Sequence, residues 1–389
     1  MEIGIDKIGF YTPEFFIDME KLAEVRGVEP AKYTIGIGQE KMAVAPLSQD
    51  AVTMAANAAL EVLDEEDREA IDFVLLGTES GVDHSKSGAV WVHRLTGIQK
   101  YARSVELKQA CYSATAAITM AMGHISLHPE RKVLVLGTDI AKYGLNTGGE
   151  PTQGAGAVAM VLSANPRILA LDTDSVSMSE DISDFWRPLH SDYAIVDGKF
   201  SNQAYLNFLA DVWGEYKQRN NRDLSDFEAL CFHVPYTKMG KKALKALTEQ
   251  ASEEDAARLM GYYEPSISYN KAVGNIYTGS LYLSLLSLLE QGPELPEDAR
   301  IGLFSYGSGG VGEFFSGKVK PGYKEHMLKD EHEALLNNRR ELSIEEYENI
   351  LQQALPKDET DIELDVLETT SGTVVLKGVQ ANIRHYGKN

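Results

Sequence analysis

The chain has 389 residues, of which 43% are hydrophobic and 24% are charged, and its formal net charge at pH 7 is −21. This is the composition of an ordinary globular protein that is long enough for one or two large cores. The negative charge argues against broad binding to nucleic acids or anionic membranes, and no stretch approaches the roughly 20 apolar residues of a membrane span.

The first half of the chain is predicted to alternate strands and helices. The N-terminal residues, MEIGIDKIGF, lack the basic flank and long apolar run of a signal peptide and are predicted to form a strand over residues 2–10. Helices are expected over 18–25 and 48–63, the second with Ser48 as its N-cap. Further strands are expected over 71–77, 104–110, 132–137 and 156–162.

The second half repeats this order of elements. Residues 227–234 resemble the strand at 71–77, and residues 275–289 resemble a helix that begins at Cys111. Residues 300–305 and 312–317 match the strands at 132–137 and 156–162. The sequence therefore predicts an α/β protein in which one unit is used twice, with its chemistry at the carboxyl ends of the strands.

Two stretches lie outside the repeat. Residues 172–221 are interpreted as an insertion, and the segment after residue 322 is interpreted as helices over 326–355 followed by strands from 361, with a turn at Ser371-Gly372. We expect an N-terminal half over 1–165, a C-terminal half over 166–317 that carries the insertion, and an appended segment over 318–389 that packs on the core.

Cys111 is the first candidate catalytic residue. It lies where a short strand gives way to a helix rich in small residues, SATAAITMAMG. Unpaired N–H groups and the positive end of the helix dipole favour a thiolate there and could hold an oxyanion. The alternative is an inert, buried cysteine, which is how we interpret Cys231. Two cysteines are too few for a disulfide framework, so a reducing cytoplasm is expected.

Two further candidates end apolar strands. Glu79 follows IDFVLLG, where a partly buried carboxyl group would have a raised pKa suited to proton transfer. His233 ends FEALCFHV and precedes Val234-Pro235, a position that suits a general acid or base. For His233, a satisfied and half-buried side chain is an equally good interpretation.

Four lysines in eight residues, from Lys238 to Lys245, follow the His233 loop on this acidic chain. They indicate either a solvated helix face or a rim that meets phosphate groups, and their position beside His233 favours the rim.

Two glycine patterns, at 154–159 and 307–312, fit the spacing of a dinucleotide fingerprint, but each leads into a strand-like segment instead of a helix. We interpret both as tight turns between strands. His326 and His332 are assigned to a solvated helix face, and His84 and His93 have no partner at zinc-ligand spacing, so no metal site is predicted.

Several of these residues occur in motifs that resemble the 3-hydroxy-3-methylglutaryl-CoA synthase family in its bacterial form. The order and spacing of the motifs together are specific, although each one alone is not. They run from the KYTIGIGQ motif at 32–39 to Gly309, with Glu29-Pro30 where Asp-Ala is expected before the first motif. They comprise Glu79, the junction at 110–112, the VDGK motif at 196–199, the HVPYTK loop at 233–238, the GNIYT motif at 274–278 and the FSYGSG motif at 304–309.

The resemblance implies a thiolase-like fold in which duplicated αβ halves form a layered α-β-α-β-α core. It also implies a homodimer, acetyl-CoA and acetoacetyl-CoA as substrates, and no cofactor. Cys111 becomes the nucleophile, Glu79 the general acid/base, and His233 the group that polarises the acetoacetyl carbonyl. The acyl pocket is assigned to Tyr143, Thr152, Ser201 and Asn275, the oxyanion hole to the backbone N–H groups of Cys111 and Ser308, and CoA contacts to Lys238 and Lys242.

The residues agree with this chemistry, because joining two acyl units requires a covalent holder, a base and a group that polarises the ketone. A thiolase would use a second active cysteine, whereas Cys231 is predicted inside a strand. A decarboxylating ketoacyl synthase would not need Glu79. Two alternatives stay open: another Claisen-type condensing enzyme that uses acyl-CoA, and a family member that binds acyl-CoA without catalysis.

Overall fold

The computed structural model describes residues 1–191, 193–358, 360–366 and 373–389. The predicted turn at Ser371-Gly372 lies outside these residues. Within them, no helix combines the length and apolar character needed to cross a membrane. The helices are α1 (Met19–Val25), α2 (Ala51–Val62), α3 (Glu65–Ala70), α4 (Gly88–Thr96), α5 (Ser113–Leu127), α6 (Gly198–Asn220), α7 (Thr237–Thr248), α8 (Glu253–Ser266), α9 (Ser268–Val273), α10 (Ser280–Gln291), α11 (Lys329–Asn337) and α12 (Ile344–Gln352). The strands are β1 (Ile3–Tyr11), β2 (Phe15–Asp18), β3 (Lys41–Val44), β4 (Ile71–Gly77), β5 (Arg103–Leu107), β6 (Lys132–Ala141), β7 (Gly154–Ala164), β8 (Leu169–Leu171), β9 (Val176–Ser179), β10 (Phe185–Trp186), β11 (Ile195–Val196), β12 (Ala229–Phe232), β13 (Arg300–Gly307), β14 (Val311–Val319), β15 (Arg340–Glu341), β16 (Ile362–Glu363), β17 (Val374–Gln380) and β18 (Ile383–Lys388).

A single large sheet runs through both halves of the chain in the order β12-β13-β14-β8-β1-β7-β6-β4-β5, with β9 paired to β14. The predicted repeat is visible in its pairing pattern. β4 is parallel to β6, which is antiparallel to β7; in the second half β12 is parallel to β13, which is antiparallel to β14. The carboxyl ends of the parallel strands therefore meet the starts of α5 and α10.

The two corresponding helices, α5 and α10, contact each other near their N-termini. Thr115 and Tyr282 share a hydrogen bond of 2.7 Å, and the Ala114 N–H donates to Thr278 Oγ1 at 2.7 Å. α5 is rich in alanine, so the backbones around it approach closely: a Cβ atom added at Gly77 would lie 2.7 Å from the Ala114 nitrogen. This small-residue packing places the start of α5 against the ends of β4 and β6.

Some predicted boundaries and caps are wrong. The N-cap of α2 is Asp50 instead of Ser48, because the Asp50 carboxylate accepts from the Val52 and Thr53 N–H groups. The glycine pattern at 154–159 lies inside β7 and is not a turn. Glycine is required there by close approach, since a Cβ atom at Gly154 would lie 2.6 Å from the backbone nitrogen of Asn275. The pattern at 307–312 does include the tight connection between β13 and β14.

The insertion supplies a second hydrophobic core. Helix α6 buries Phe208, Trp213 and Tyr216 against Phe227 and Phe314. Preceding it, β10 and β11 form a short hairpin, with Phe185 opposite Val196 and Trp186 opposite Ile195.

The assignment of His332 to a solvated face is also wrong. His332 lies on α11 and is fully buried, with its Nδ1 2.9 Å from Glu290 Oε1 and its Nε2 3.3 Å from Glu61 Oε2. Burial by itself lowers the pKa of a histidine, but these two carboxylates together raise the pKa of His332 to about 9. The appended α11 is thus joined to the core by a buried ionic cluster that the local charge pattern did not indicate.

Candidate active site

The site begins where β4 ends beside β6. Gly77, the last residue of β4, pairs with Gly137 of β6, so Glu79 just after β4 and Asp139 within β6 stand at corresponding positions. The Asp139 carboxylate accepts hydrogen bonds from Thr78 Oγ1 at 3.0 Å, from the Glu79 N–H at 2.8 Å and from the Thr278 N–H at 3.3 Å. Asp139 therefore fixes the backbone that carries Glu79 and joins it to the start of the second repeat.

Asp139 is fully buried and Glu79 beside it is partly buried, so two carboxyl groups lie close together in a poorly solvated place. Burial is the main cause that raises the pKa of both groups, and the proximity of Asp139 raises that of Glu79 further. A carboxyl group held in this way retains or accepts a proton near neutral pH, as a general acid/base must.

Cys111 lies in the junction between β5 and α5. The residue before it, Ala110, has a left-handed φ of 44°, and the chain turns there through a hydrogen bond from the Tyr112 N–H to the Gln109 carbonyl oxygen. This turn brings the Cys111 Sγ to 3.7 Å from Glu79 Oε1. A nucleophile and a proton acceptor in contact are the basic requirement of covalent catalysis.

The expectation that the helix terminus favours a thiolate at Cys111 is wrong. Only 8% of Cys111 is exposed, and burial together with the negative charge of Glu79 raises its pKa well above the usual value. α5 begins at Ser113, two residues later, so the dipole is outweighed by desolvation and by the acidic neighbours. The resting nucleophile is a thiol that must lose its proton to a neighbouring group during the reaction.

His233 extends β12 by one residue, with its N–H donating to the Phe304 carbonyl oxygen at 2.8 Å. Its own carbonyl accepts from Tyr205 Oη at 2.7 Å, so the main chain of His233 is held from two sides. Burial lowers the pKa of His233 to about 3, which keeps the imidazole neutral. Its Nδ1 has no hydrogen-bond partner among the described residues, so no carboxylate there orients it as in a Cys–His–Asp hydrolase.

One cavity of about 600 Å³ brings most of the predicted site residues together. Of these residues, its lining includes Cys111, Tyr143, Thr152, Ser201, His233, Asn275 and Ser308. The two residues assigned to the oxyanion hole are neighbours in space, because Gln109, two residues before Cys111, donates to the Ser308 carbonyl oxygen at 3.4 Å. Glu79 is not among the lining residues, but its carboxyl group contacts Cys111, which is.

The two lysines that were assigned to CoA contacts do not line this cavity. Lys238 and Lys242 are not among the lining residues, but both lie on α7, which contributes Met239 to the cavity wall. The Nζ of Lys242 is 3.5 Å from the hydroxyl of Tyr236, which also lines the cavity. These lysines therefore stand outside the cavity, on the side formed by α7.

Sequence reasoning assigned Tyr143 to the acyl pocket but missed Phe185 and Tyr277, which complete an aromatic wall around Cys111. The rings of Tyr143, Phe185 and Tyr277 pack edge to face, with centroids 5.9–6.3 Å apart. It also missed Asp184, whose carboxylate accepts from Tyr306 Oη at 2.8 Å and from the Gly309 N–H at 2.7 Å. Asp139 had a detectable signal, since it stands two residues after a glycine that ends an apolar run of the sequence, as Glu79 does.

The chain is similar to known proteins over most of its length. It matches the family model for the N-terminal part of hydroxymethylglutaryl-coenzyme A synthase over residues 1–166, and the model for the C-terminal part over residues 170–261 and 248–388. It is 57% identical over 358 residues to the hydroxymethylglutaryl-CoA synthase of Enterococcus faecalis, which covers 92% of this chain and 94% of the relative.

Two solved structures resemble it along essentially their whole length. A crystal structure of an HMG-CoA synthase complexed with CoA has a TM-score of 0.97 and 45% identity, and covers 100% of both chains. A structure of MvaS in complex with 3-hydroxy-3-methylglutaryl coenzyme A has a TM-score of 0.90 and 35% identity, and covers 100% of this chain and 99% of the other.

Proposed function

Because this chain belongs to the hydroxymethylglutaryl-CoA synthase family, we propose a reaction sequence in which its own residues perform the family's condensation. The enzyme is an acyltransferase that joins acetyl-CoA, acetoacetyl-CoA and water to give 3-hydroxy-3-methylglutaryl-CoA (HMG-CoA) and CoA, in the mevalonate route to isoprenoids. The observation that carries the sequence of steps is the 3.7 Å contact between the Glu79 carboxyl group and the Sγ of Cys111, which lines one cavity together with His233.

In the first step, the Cys111 sulfur attacks the carbonyl carbon of acetyl-CoA. The C–S bond to CoA breaks, CoA leaves with the proton of the Cys111 thiol, and an acetyl thioester remains on the enzyme. The backbone N–H groups of Cys111 and Ser308 stabilise the negative oxygen that develops on the acetyl carbonyl.

In the second step, the Glu79 carboxylate removes a proton from the methyl group of the acetyl thioester. The resulting carbanion forms a bond to the C3 ketone carbon of acetoacetyl-CoA. Neutral His233 donates a hydrogen bond to the ketone oxygen, which takes up the proton that Glu79 removed and becomes the 3-hydroxyl group. The aromatic wall of Tyr143, Phe185 and Tyr277 limits the access of bulk water while the carbanion exists.

In the last step, water hydrolyses the thioester between Cys111 and the product. The acyl carbon gains an oxygen and becomes the free carboxyl group of HMG-CoA, and the sulfur of Cys111 regains its proton. Lys238 and Lys242 on α7 support the CoA portion of the substrates with positive charge at the outer side of the cavity.

Product analysis tests this reaction. The purified protein is mixed with acetoacetyl-CoA and acetyl-CoA labelled with ¹³C in both acetyl carbons, and HMG-CoA with a mass increase of two is expected. The same mixture with Cys111→Ala should give no product, while Cys231→Ser, in the second cysteine, should retain activity. Free labelled acetate without HMG-CoA would indicate a thioesterase and refute the proposal.

We also propose a homodimer formed across the outer edge of β5. This strand pairs only with β4 among the described residues, and Val105 on it and Tyr101 just before it are 39% and 80% exposed. An exposed strand edge is a natural site for pairing with a second copy. Val105→Lys should shift the sedimentation coefficient from dimer to monomer, and Lys329→Glu, a charge change on α11, should not.

We also propose the cellular location and the domain boundaries that the sequence predicts. Two buried cysteines without a disulfide support a cytoplasmic protein. Halves over 1–165 and 166–317, with an appended segment over 318–389, remain our proposed boundaries.

A further inference from the structure

The cavity over Cys111 is bounded on one side by the hairpin of the insertion, residues 184–191 and 193–197. Phe185 in β10 is buried against the aromatic wall, whereas Trp186 is 41% exposed. Side chains alternate along an extended chain, so Arg187 is expected on the same side as Phe185. It does lie there, because Nη2 of Arg187 donates a hydrogen bond to the main-chain carbonyl oxygen of Glu79.

The start of this hairpin is anchored to the end of β13 and to the turn that follows it. The Asp184 carboxylate accepts hydrogen bonds from Tyr306 and Gly309, and its carbonyl oxygen accepts from the Asp197 N–H at 3.3 Å. Arg187 follows three residues later and connects this anchored segment to the turn that carries Glu79. The guanidinium group is therefore held against the main chain of Glu79 by contacts at both ends of the segment.

The groups around Glu79 are strongly biased towards negative charge. Cys111 faces it from the start of α5, and Asp139 faces it from the end of β6. Tyr143 and Tyr277 lie nearby with pKa values raised by burial, so they remain neutral. Burial and the charge of Asp139 raise the pKa of Glu79. Among the described residues, Arg187 is the one cation whose charge lowers it.

We propose that Arg187 is a positioning residue that fixes the Glu79 turn and supplies the counter-charge that keeps the Glu79 carboxylate available as a base. The inference rests on the proposed function, because it assigns a role in the condensation step. It explains how a base can work beside a second buried carboxyl group, which by itself favours the protonated form of Glu79. Arg187 acts indirectly, through the ionisation of Glu79 and through the conformation of the turn that carries Glu79.

The test is the pH dependence of kcat for HMG-CoA formation. Arg187→Gln removes the charge and should move the acidic limb of the profile to higher pH. On that limb the rate should fall about three- to tenfold, and most of it should return at alkaline pH; the effect is modest because an exposed guanidinium is screened. Arg187→Lys retains a positive charge and should keep the limb close to that of the wild type. Arg219→Gln, on the exposed face of α6, is the matched control and should leave the profile unchanged.

A loss of kcat by the same factor at every pH in Arg187→Gln would overturn the inference, since that is the result of a structural role alone. An acidic limb that moves equally in Arg187→Lys would also overturn it. The pKa of Glu79 can be measured without substrates by ¹³C NMR of carboxyl-labelled glutamate, with the signal assigned by its loss in Glu79→Gln. A higher pKa in Arg187→Gln is expected, and an unchanged one would refute the inference even if the proposed reaction failed.

Discussion

The substitution Glu79→Gln separates the nucleophile from the base. Glutamine keeps the shape and much of the hydrogen bonding of Glu79 but cannot accept the methyl proton. A positioned general base contributes about 10²–10⁴-fold to rate, or about 3–5 kcal/mol of activation free energy. We therefore expect the rate of HMG-CoA formation to fall by a factor in that range.

The acetylation of Cys111 should respond differently. The negative charge of Glu79, 3.7 Å from Sγ, is one cause of the raised pKa of the Cys111 thiol. Its removal lowers that pKa and makes the thiolate easier to form. The variant should therefore still accumulate an acetyl group on Cys111, and iodoacetamide should alkylate Cys111 faster at neutral pH than in the wild type.

Acetylation of Cys111 and condensation to HMG-CoA can be measured in one experiment. The variant is incubated with acetyl-CoA, digested, and the mass of the peptide that contains Cys111 is determined; acetoacetyl-CoA is then added and HMG-CoA is quantified. Cys111→Ala, the control, should show neither adduct nor product. Condensation by Glu79→Gln at near the wild-type rate would refute the reasoning, because some other group would then form the carbanion.

Three further substitutions test other parts of the site and fold. Lys242→Glu should raise KM for both CoA substrates and reduce the sensitivity of binding to salt, whereas Lys329→Glu should not; unchanged KM values would remove Lys242 from the CoA site. His233→Ala should weaken acetoacetyl-CoA binding while Cys111 still takes up an acetyl group, and loss of acetylation would mean that His233 activates the thiol instead. His332 has a pKa of about 9 in the folded protein against 6.5 for the ordinary side chain, so its stabilisation is fully present below about pH 6.5 and is lost as pH rises through 9. That difference is worth about 3 kcal/mol, and denaturant unfolding of His332→Gln should show a lower free energy of unfolding at pH 6 and a flatter change between pH 6.5 and 9 than the wild type shows.

Much of the architecture followed from local sequence. The apolar runs of β4, β6, β12 and β13 are continuous, which indicates strands covered on both faces, and their repeated order predicted the duplicated unit seen in the sheet. Motif order also identified the family. The N-cap of α2 and the glycines of β7 were assigned wrongly, because a cap and a close backbone approach depend on neighbours that a periodic pattern does not contain.

The sequence by itself determined which residue types stand at the strand ends: Glu79, Cys111 and His233. Only the tertiary structure decided their ionisation, because a pKa depends on burial and on charges brought from distant parts of the chain. The thiol of Cys111 is protonated because the fold buries it beside Glu79, and His233 is neutral because it is buried without a carboxylate partner among the described residues. Arg187 stands 108 residues from Glu79 in the chain, and only the folding of the insertion over the cavity brings its charge to the site.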